Sequence, residues 1–438
     1  MARTSKKEKT AKALTPEEKL AAALVPVEKQ PYPVPGNWCW VNAPFLFKIE
    51  YGKGLSTKDL TETGYPVFGA NGQIGFYSEY MFEGQQALMS CRGAYSGVMN
   101  ISLPKSFVTS NSLIIHNKDL DWSPKYICYL FESQDTRKLV SGTAQPQVTV
   151  QAFLNFPIPV VPKAEQKRII DYIESLFAKL DEAREKAQAV VDSFEDRKAA
   201  ILYRAFSGEL TAQWRKDNSI YLDSWKRKTV ESICNSLKYG TAKKSEKAGN
   251  VVVIRMGNLQ QGEIDWTDLA YSTDEDDIGK YRLEPNDVLF NRTNSAALVG
   301  KTSIYRGEYP AIYAGYLIKL DYKHDVVIGD YLNYALNTQD AKEYCSAVKT
   351  DGVNQSNINA KKIGAYSIPI PSIMEQERIV ELLKRFIEKE RQAKEAAEQA
   401  LAQIDTMKKS ILARAFRGEL GTNDPTDESA EALLKRIL

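Results

Sequence analysis

The sequence predicts an α+β fold: two β-rich globular domains separated by two long antiparallel helices, a coiled-coil spacer, with a pseudo-two-fold internal repeat. Three observations predict it. The phrase ILYRAFSGEL at 201–210 returns as ILARAFRGEL at 411–420, an offset of 210 residues. The match runs upstream without a gap, with 17 identities in the 46 positions from Glu165 to Leu210. Each copy follows a segment of similar size, 36–162 or 225–371, whose short apolar or alternating runs are punctuated by Gly, Asn and Asp. So long a period marks a duplicated unit, not a solenoid.

The elements follow in order. Residues 1–14 are a basic N-terminus, expected to be disordered, and 15–35 a helical segment. There Thr15-Pro16-Glu17-Glu18 reads as a capped start with Pro16 at the first helical position. In the domain 36–162, PVFGANGQIGFY (66–77), ALMSCRG (87–93) and SNSLIIH (110–116) read as strands, and 124–132 as a helix. The first long helix, 163–208, carries Ile173, Leu176, Leu180, Ala183, Ala187, Val190, Phe194 and Ile201 as an a/d stripe. After a linker, 209–224, the domain 225–371 repeats the plan, with strands at 250–259 and 287–292 and a helix near 328–335. Trp40 then Tyr51-Gly52 parallels Trp225 then Tyr239-Gly240, and a strand ending in Arg92 parallels one ending in Arg292.

The second long helix, 372–418, offers Leu383, Phe386, Ala393, Ala397, Ala400, Ile404, Met407 and Ile411, with Glu390 where the first copy has Leu180. Ser372-x-x-Glu375 reads as a capping box. Gly208 and Gly418 stand where a helix-ending glycine belongs. Each helix is about 40 residues, or roughly 60 Å, and its best partner is the other copy. The tail, 419–438, ends in another short helix.

Composition narrows the function. The formal net charge is only +2, so bulk charge supplies no affinity for a polyanion and basic groups must be placed locally. Five scattered cysteines without a C-x-x-C pair argue for a reducing compartment and against disulfides or a zinc site. No apolar run follows the charged start, and none approaches 18 residues, so neither a signal peptide nor a membrane span is expected, and the protein reads as soluble and cytoplasmic.

The motifs that echo enzymes are broken. LVGKTS (298–303) has Ser295 where a phosphate-binding loop needs glycine. NAPF (42–45) has Ala43 where amino-methyltransferases carry proline. Two histidines, His116 and His324, supply little acid–base or metal chemistry, and the acidic run 273–279 reads as a solvated loop. No catalytic residue, no metal and no cofactor is assigned to this chain.

What remains suits a reader of nucleic acid. The first domain offers Lys53, Asn71, Gln73, Arg92, Tyr95, Ser96, Gln145 and Gln147. The second offers Lys243, Lys244, Arg255, Asn258, Gln260, Gln261, Arg292, Asn294, Ser295, Asn354, Gln355 and Asn357. Arg pairs bidentately with guanine and Asn or Gln with adenine in the major groove, while Lys and Ser hold phosphates. Ordinary polar turns would look the same residue by residue.

The helix starts EQKRII and EQERIV, the helix ends RAFSGEL and RAFRGEL, a variable domain before each, and the strand–turn PVFGANGQIGFY together resemble the DNA-specificity subunits of type I restriction–modification enzymes. The resemblance covers 15–438. It implies two target-recognition domains, each reading one half of a bipartite, asymmetric sequence in double-stranded DNA, and a helical spacer that sets the gap. It implies a non-catalytic subunit that binds two adenine methyltransferase subunits, which use S-adenosylmethionine, and through them a translocating endonuclease subunit. Arg204, Phe206, Arg414 and Phe416, at the helix ends, become docking candidates, although both Phe side chains could instead pack on their own domains. The N- and C-terminal pieces are implied to come together and match the linker around 211–225. A coiled-coil scaffold with two protein-binding modules is the alternative reading.

Overall fold

A computed structural model describes residues 15–118, 120–353 and 355–438. The basic N-terminus at 1–14 and the candidate reader Asn354 lie outside the described residues. The chain divides into two units, Met1–Ala187 with Gln399–Leu438, and Gln188–Glu398. Each unit holds one β-rich domain, the start of one long helix and the end of the other.

In the first unit, a four-stranded antiparallel sheet orders Phe47–Tyr51, Ser112–Asn117, Ala87–Ser90 and Met99–Ile101. A three-stranded sheet places Tyr65–Gly69 between Gly72–Tyr77 and Phe107–Val108, the latter pair parallel. Cys39–Asn42 pairs antiparallel with Pro157–Val160. The second unit repeats this plan: Cys234–Tyr239, Leu317–Tyr322, Val288–Asn291 and Thr302–Ile304; then Val251–Ile254 between Tyr271–Ser272 and Ala311–Tyr313; then Lys226–Thr229 with Ser367–Ile370. Gly52 and Gly240 fall at matching places because a neighbouring strand's carbonyls (Thr109 in one unit, Tyr313 in the other) leave no room for a β-carbon.

The shared ladder corrects two parallels drawn from sequence. Cys39 opposes Val160 as Lys226 opposes Ile370, so the counterpart of Trp225 is Trp38, not Trp40. Cys91 O accepts from Val148 N–H as Arg292 O accepts from Ile358 N–H. Arg92 thus corresponds to Thr293, and Arg292 to Cys91. A slip of one residue puts a side chain on the opposite face of a strand, so the two arginines are not equivalents.

The long helices also differ from expectation. The second is continuous from Ile373 to Ala415, 43 residues or about 65 Å. The first is broken at Ser193 into Lys163–Asp192 and Phe194–Phe206. The Ser193 hydroxyl bonds back to the Ala189 carbonyl, a local contact of the kind that competes with helix propagation. Within the first unit the helices run antiparallel: Lys408 reaches Asp181 at 2.6 Å and lies over the Phe177 ring, and Arg184 pairs with Asp405. Within the second, Arg197 meets Glu390 at 2.6 Å and Lys394 lies over Phe194. Glu390 interrupts the apolar stripe because it is the acceptor for Arg197. Ala183, Ala393, Ala400 and Met407, read as stripe positions, are exposed.

The Thr15 capping box forms in full, with Pro16 in the first turn. The helices Pro124–Glu132 and Gly329–Leu336 stand where the sequence places them. The acidic run is no loop: Asp274 caps the helix Glu275–Tyr281 and Asp277 is buried against Thr241. The last helix, Ala430–Ile437, packs on Pro16–Ala23, and Lys19 Nζ donates to the Leu438 carbonyl at 2.5 Å. The first and last described helices therefore meet within the first unit. No described helix is long and apolar enough to cross a membrane.

Candidate nucleic-acid interface

Backbone pairing gathers the first unit's candidates at one end of its sheets. Lys53 N–H donates to Val108 O, and Ser110 N–H to Lys53 O, each at 2.9 Å. Ser112 Oγ holds Gly69 O, and Ser90 Oγ holds Ala70 O, fixing the turn that presents Asn71 and Gln73. Gly93 N–H and Ser96 Oγ both donate to Pro146 O, at 2.9 and 2.8 Å, which ties the Arg92–Ser96 loop to Gln145 and Gln147. Lys53, Asn71, Gln73, Arg92, Tyr95, Gln145 and Gln147 are exposed. Ser96 spends its hydroxyl on the loop itself.

In the second unit the face is built differently. The connection that takes two residues between the strands ending at Gly69 and starting at Gly72 takes residues 255–270 here. Arg292 lies 4.7 Å over the Tyr239 ring and 3.4 Å from both Gly315 O and Asn357 Oδ1. Asn357 Nδ2 in turn donates to Thr293 Oγ1 at 2.8 Å. Asn294 Oδ1 accepts from Ser295 N–H, fixing the next turn. Lys244, Gln260, Gln261, Ser295 and Gln355 are exposed.

Some candidates are already committed. Asn258 is buried: its Oδ1 accepts from Arg255 N–H and its Nδ2 serves the carbonyls of Asp265 and Asp268, so it holds the 255–270 excursion together and is not available to a base. Lys243 is held by Asp274 at 2.6 Å, with Asp277 at 3.7 Å, and its hydrogen bond keeps the Asp274 carboxyl below the usual range. Arg255 pairs with Asp268 at 2.8 Å.

At the helix ends, Arg204 and Arg414 are exposed, whereas Phe416 is wholly buried, edge-on to Tyr126 at 5.6 Å. Phe206 is half-buried against Tyr331 at 5.0 Å. The aromatic members of these phrases pack their own units; the arginines face outward.

Sequence reading missed two buried glutamates. Glu165 accepts from Trp38 Nε1 at 2.7 Å, Asn423 Nδ2 at 2.8 Å and Thr422 Oγ1 at 2.9 Å. Glu375, 210 residues on, accepts from Thr211 Oγ1 and Arg215 Nη1, both at 2.8 Å, and from Trp225 Nε1 at 2.9 Å. The Ser372 capping box is consequently half-formed, since Ser372 Oγ caps Glu375 N–H while the Glu375 carboxylate turns inward. Gln166 and Gln376 beside them donate to the carbonyls of Val161 and Pro371. The repeated Glu-Gln pair was the signal for this role.

All five cysteines are buried and unpaired. Burial pushes the thiols of Cys39, Cys128 and Cys234 up to about 12 and that of Cys345 to about 11. Among the described residues no group of three His, Cys, Asp or Glu side chains is placed to hold a metal ion.

A family model described as the type I restriction modification DNA specificity domain matches residues 45–190 and 223–401. The EcoKI specificity subunit of Escherichia coli (strain K12) is 27% identical over 301 residues, 65% of this chain and 63% of that protein. The StySPI specificity subunit of Salmonella potsdam is 26% identical over 332 residues, 72% of this chain and 71% of that protein. Among solved structures, the HsdS subunit from Thermoanaerobacter tengcongensis superposes with a TM-score of 0.61 at 19% identity, over 90% of this chain and all of that one.

Proposed function

Because the chain belongs to the type I restriction–modification DNA specificity family, we propose that it is the DNA-recognition subunit of such an enzyme and carries no catalytic site itself. Each β-rich domain reads one half of a bipartite, asymmetric site in double-stranded DNA. The long helices set the gap between the halves. Two methyltransferase subunits, which bring S-adenosylmethionine, dock near the exposed Arg204 and Arg414, and an endonuclease–translocase subunit joins through them.

One observation carries the reading. The two domains share a strand plan, yet their loop faces differ: a two-residue turn against residues 255–270, and exposed Arg92 against the stacked Arg292. A common scaffold with divergent polar loops is what two half-sites of different sequence require.

The test is adenine methylation by the cognate methyltransferase with and without this chain, mapped across a genome. The expected result is a single bipartite motif that appears only with the chain present. Methylation indifferent to the chain would instead fit a protein scaffold. Inserting a few residues at matched depth in both long helices should change the preferred gap, each residue adding about 1.5 Å of helix; an unchanged gap would refute the helices as the ruler.

A further inference from the structure

The repeat places a lysine at Lys198 and Lys408, and the two have opposite surroundings. In the first unit Lys408 is neutralised by Asp181 at 2.6 Å. The position that is Asp181 in one copy is Arg391 in the other, and Arg391 lines the same cavity as Lys198, about 1100 Å³ in volume. Arg391 is satisfied by Glu388 and Glu395, so Lys198 meets an arginine where Lys408 meets its counterion, although Glu263, Asp265 and Glu388 also line that cavity.

Two further lysines join it. Lys198, Lys301 and Lys342 line one hollow of about 190 Å³ together with Gln260, Gln261, Asn337 and Gln339, and Glu195 is its single carboxylate. Among the described residues none of the three lysines forms an ion pair; Lys301 donates only to Gln260 Oε1, at 3.0 Å. Burial holds the Lys198 ammonium below its usual range; Glu195 opposes that shift and the charge of Lys342 adds to it. Three ammoniums against one carboxylate leave the hollow with an excess of positive charge, which favours an anion there.

The hollow is continuous with the reading face. Gln260 and Lys301 also line the adjoining hollow of about 420 Å³ that holds Arg255, Asn294 and Tyr316. We propose that Lys198, Lys301 and Lys342 form a phosphate track, gripping the duplex backbone beside the bases that the second domain reads, so that the end of the first long helix touches DNA directly. This rests on the DNA-recognition reading above. A duplex is favoured over an acidic protein because the track shares Gln260 and Lys301 with the polar, amide-bearing loops.

The experiment uses the full chain with its methyltransferase subunits, and two duplexes: one carrying the motif mapped by methylation and one scrambled. Binding is followed by fluorescence anisotropy across a potassium chloride series. The triple variant K198Q/K301Q/K342Q should flatten the log–log salt slope by up to about 2.7, at about 0.9 per lost phosphate contact. It should do so on both duplexes and keep their affinity ratio. An unchanged slope overturns the track. So does a changed ratio, which would make these lysines base readers, or loss of the methyltransferase subunits on purification, which would make the hollow a protein-docking site. If the unaltered complex does not distinguish the two duplexes, the recognition reading fails, while the slope still decides whether the lysines hold phosphate.

Discussion

Glu165 and Glu375 occupy the same place in the repeat, but their carboxylates are held by different means. Glu375 is served by one continuous stretch, Thr211 to Trp225, and one of its donors is the buried cation Arg215. Glu165 is served by two segments far apart in sequence, Trp38 from one and Thr422 with Asn423 from the other, and all three donors are neutral. A buried charge needs partners more than it needs a particular partner. The duplicated helix start therefore keeps its glutamate while the surrounding segments change, and in the first unit that one carboxylate fastens the segment at Trp38 to the segment at Thr422–Asn423.

The largest expected effect comes from removing the cation. Arg215→Met leaves Glu375 buried and without its charge partner, a loss of about 3–5 kcal/mol. Arg215 also donates to Gly208 O at 2.5 Å, so the same change loosens the helix end. Urea unfolding should show it, and adding Glu375→Gln should recover part of the loss. If the double variant is no more stable than Arg215→Met alone, the charge of Glu375 is not what Arg215 serves.

The next effect distinguishes the two cages. Trp38→Phe and Trp225→Phe each delete one indole donor. A hydrogen bond to a charged group contributes roughly 1.5–3 kcal/mol. The loss at Trp38 should lie at the upper end, because only neutral donors remain to Glu165, and the loss at Trp225 at the lower end, because Arg215 stays. Equal midpoints in urea would mean that the cation gives Glu375 no margin.

These anchors show where the sequence was legible. The offset of 210 residues revealed the duplication because both copies keep the same glutamate, glutamine and helix-ending glycine. It did not reveal the inward turn of Glu375, since a glutamate three residues after Ser372 suits a capping box equally well. The register of the domains was hidden because short apolar runs look alike after a slip of one residue, and because residues 255–270 lengthen one connection. Pairing Arg92 with Arg292, and Trp40 with Trp225, was the outcome. Burial was hidden in the same way: Phe416 and Arg414 lie two residues apart in a repeated phrase, and only packing against Tyr126 decides which of them faces water.

The corrected register gives the smallest effect, and one that separates reading from folding. Arg92 is exposed, so Arg92→Ala should weaken discrimination at one half-site by about 1–3 kcal/mol and leave the urea midpoint in place. Arg292 stacks on Tyr239 and bonds Gly315 and Asn357, so Arg292→Ala should lower discrimination at the other half-site and the midpoint together. The cation–aromatic contact accounts for about 0.5–1 kcal/mol of that second shift. Arg292→Lys sharpens the contrast: it keeps the charge over the ring but not the planar fork, so stability should largely return while base discrimination does not. Should the two alanine variants behave alike in both measurements, the one-residue offset between the domains has no consequence for function, and Arg92 and Arg292 act as counterparts after all.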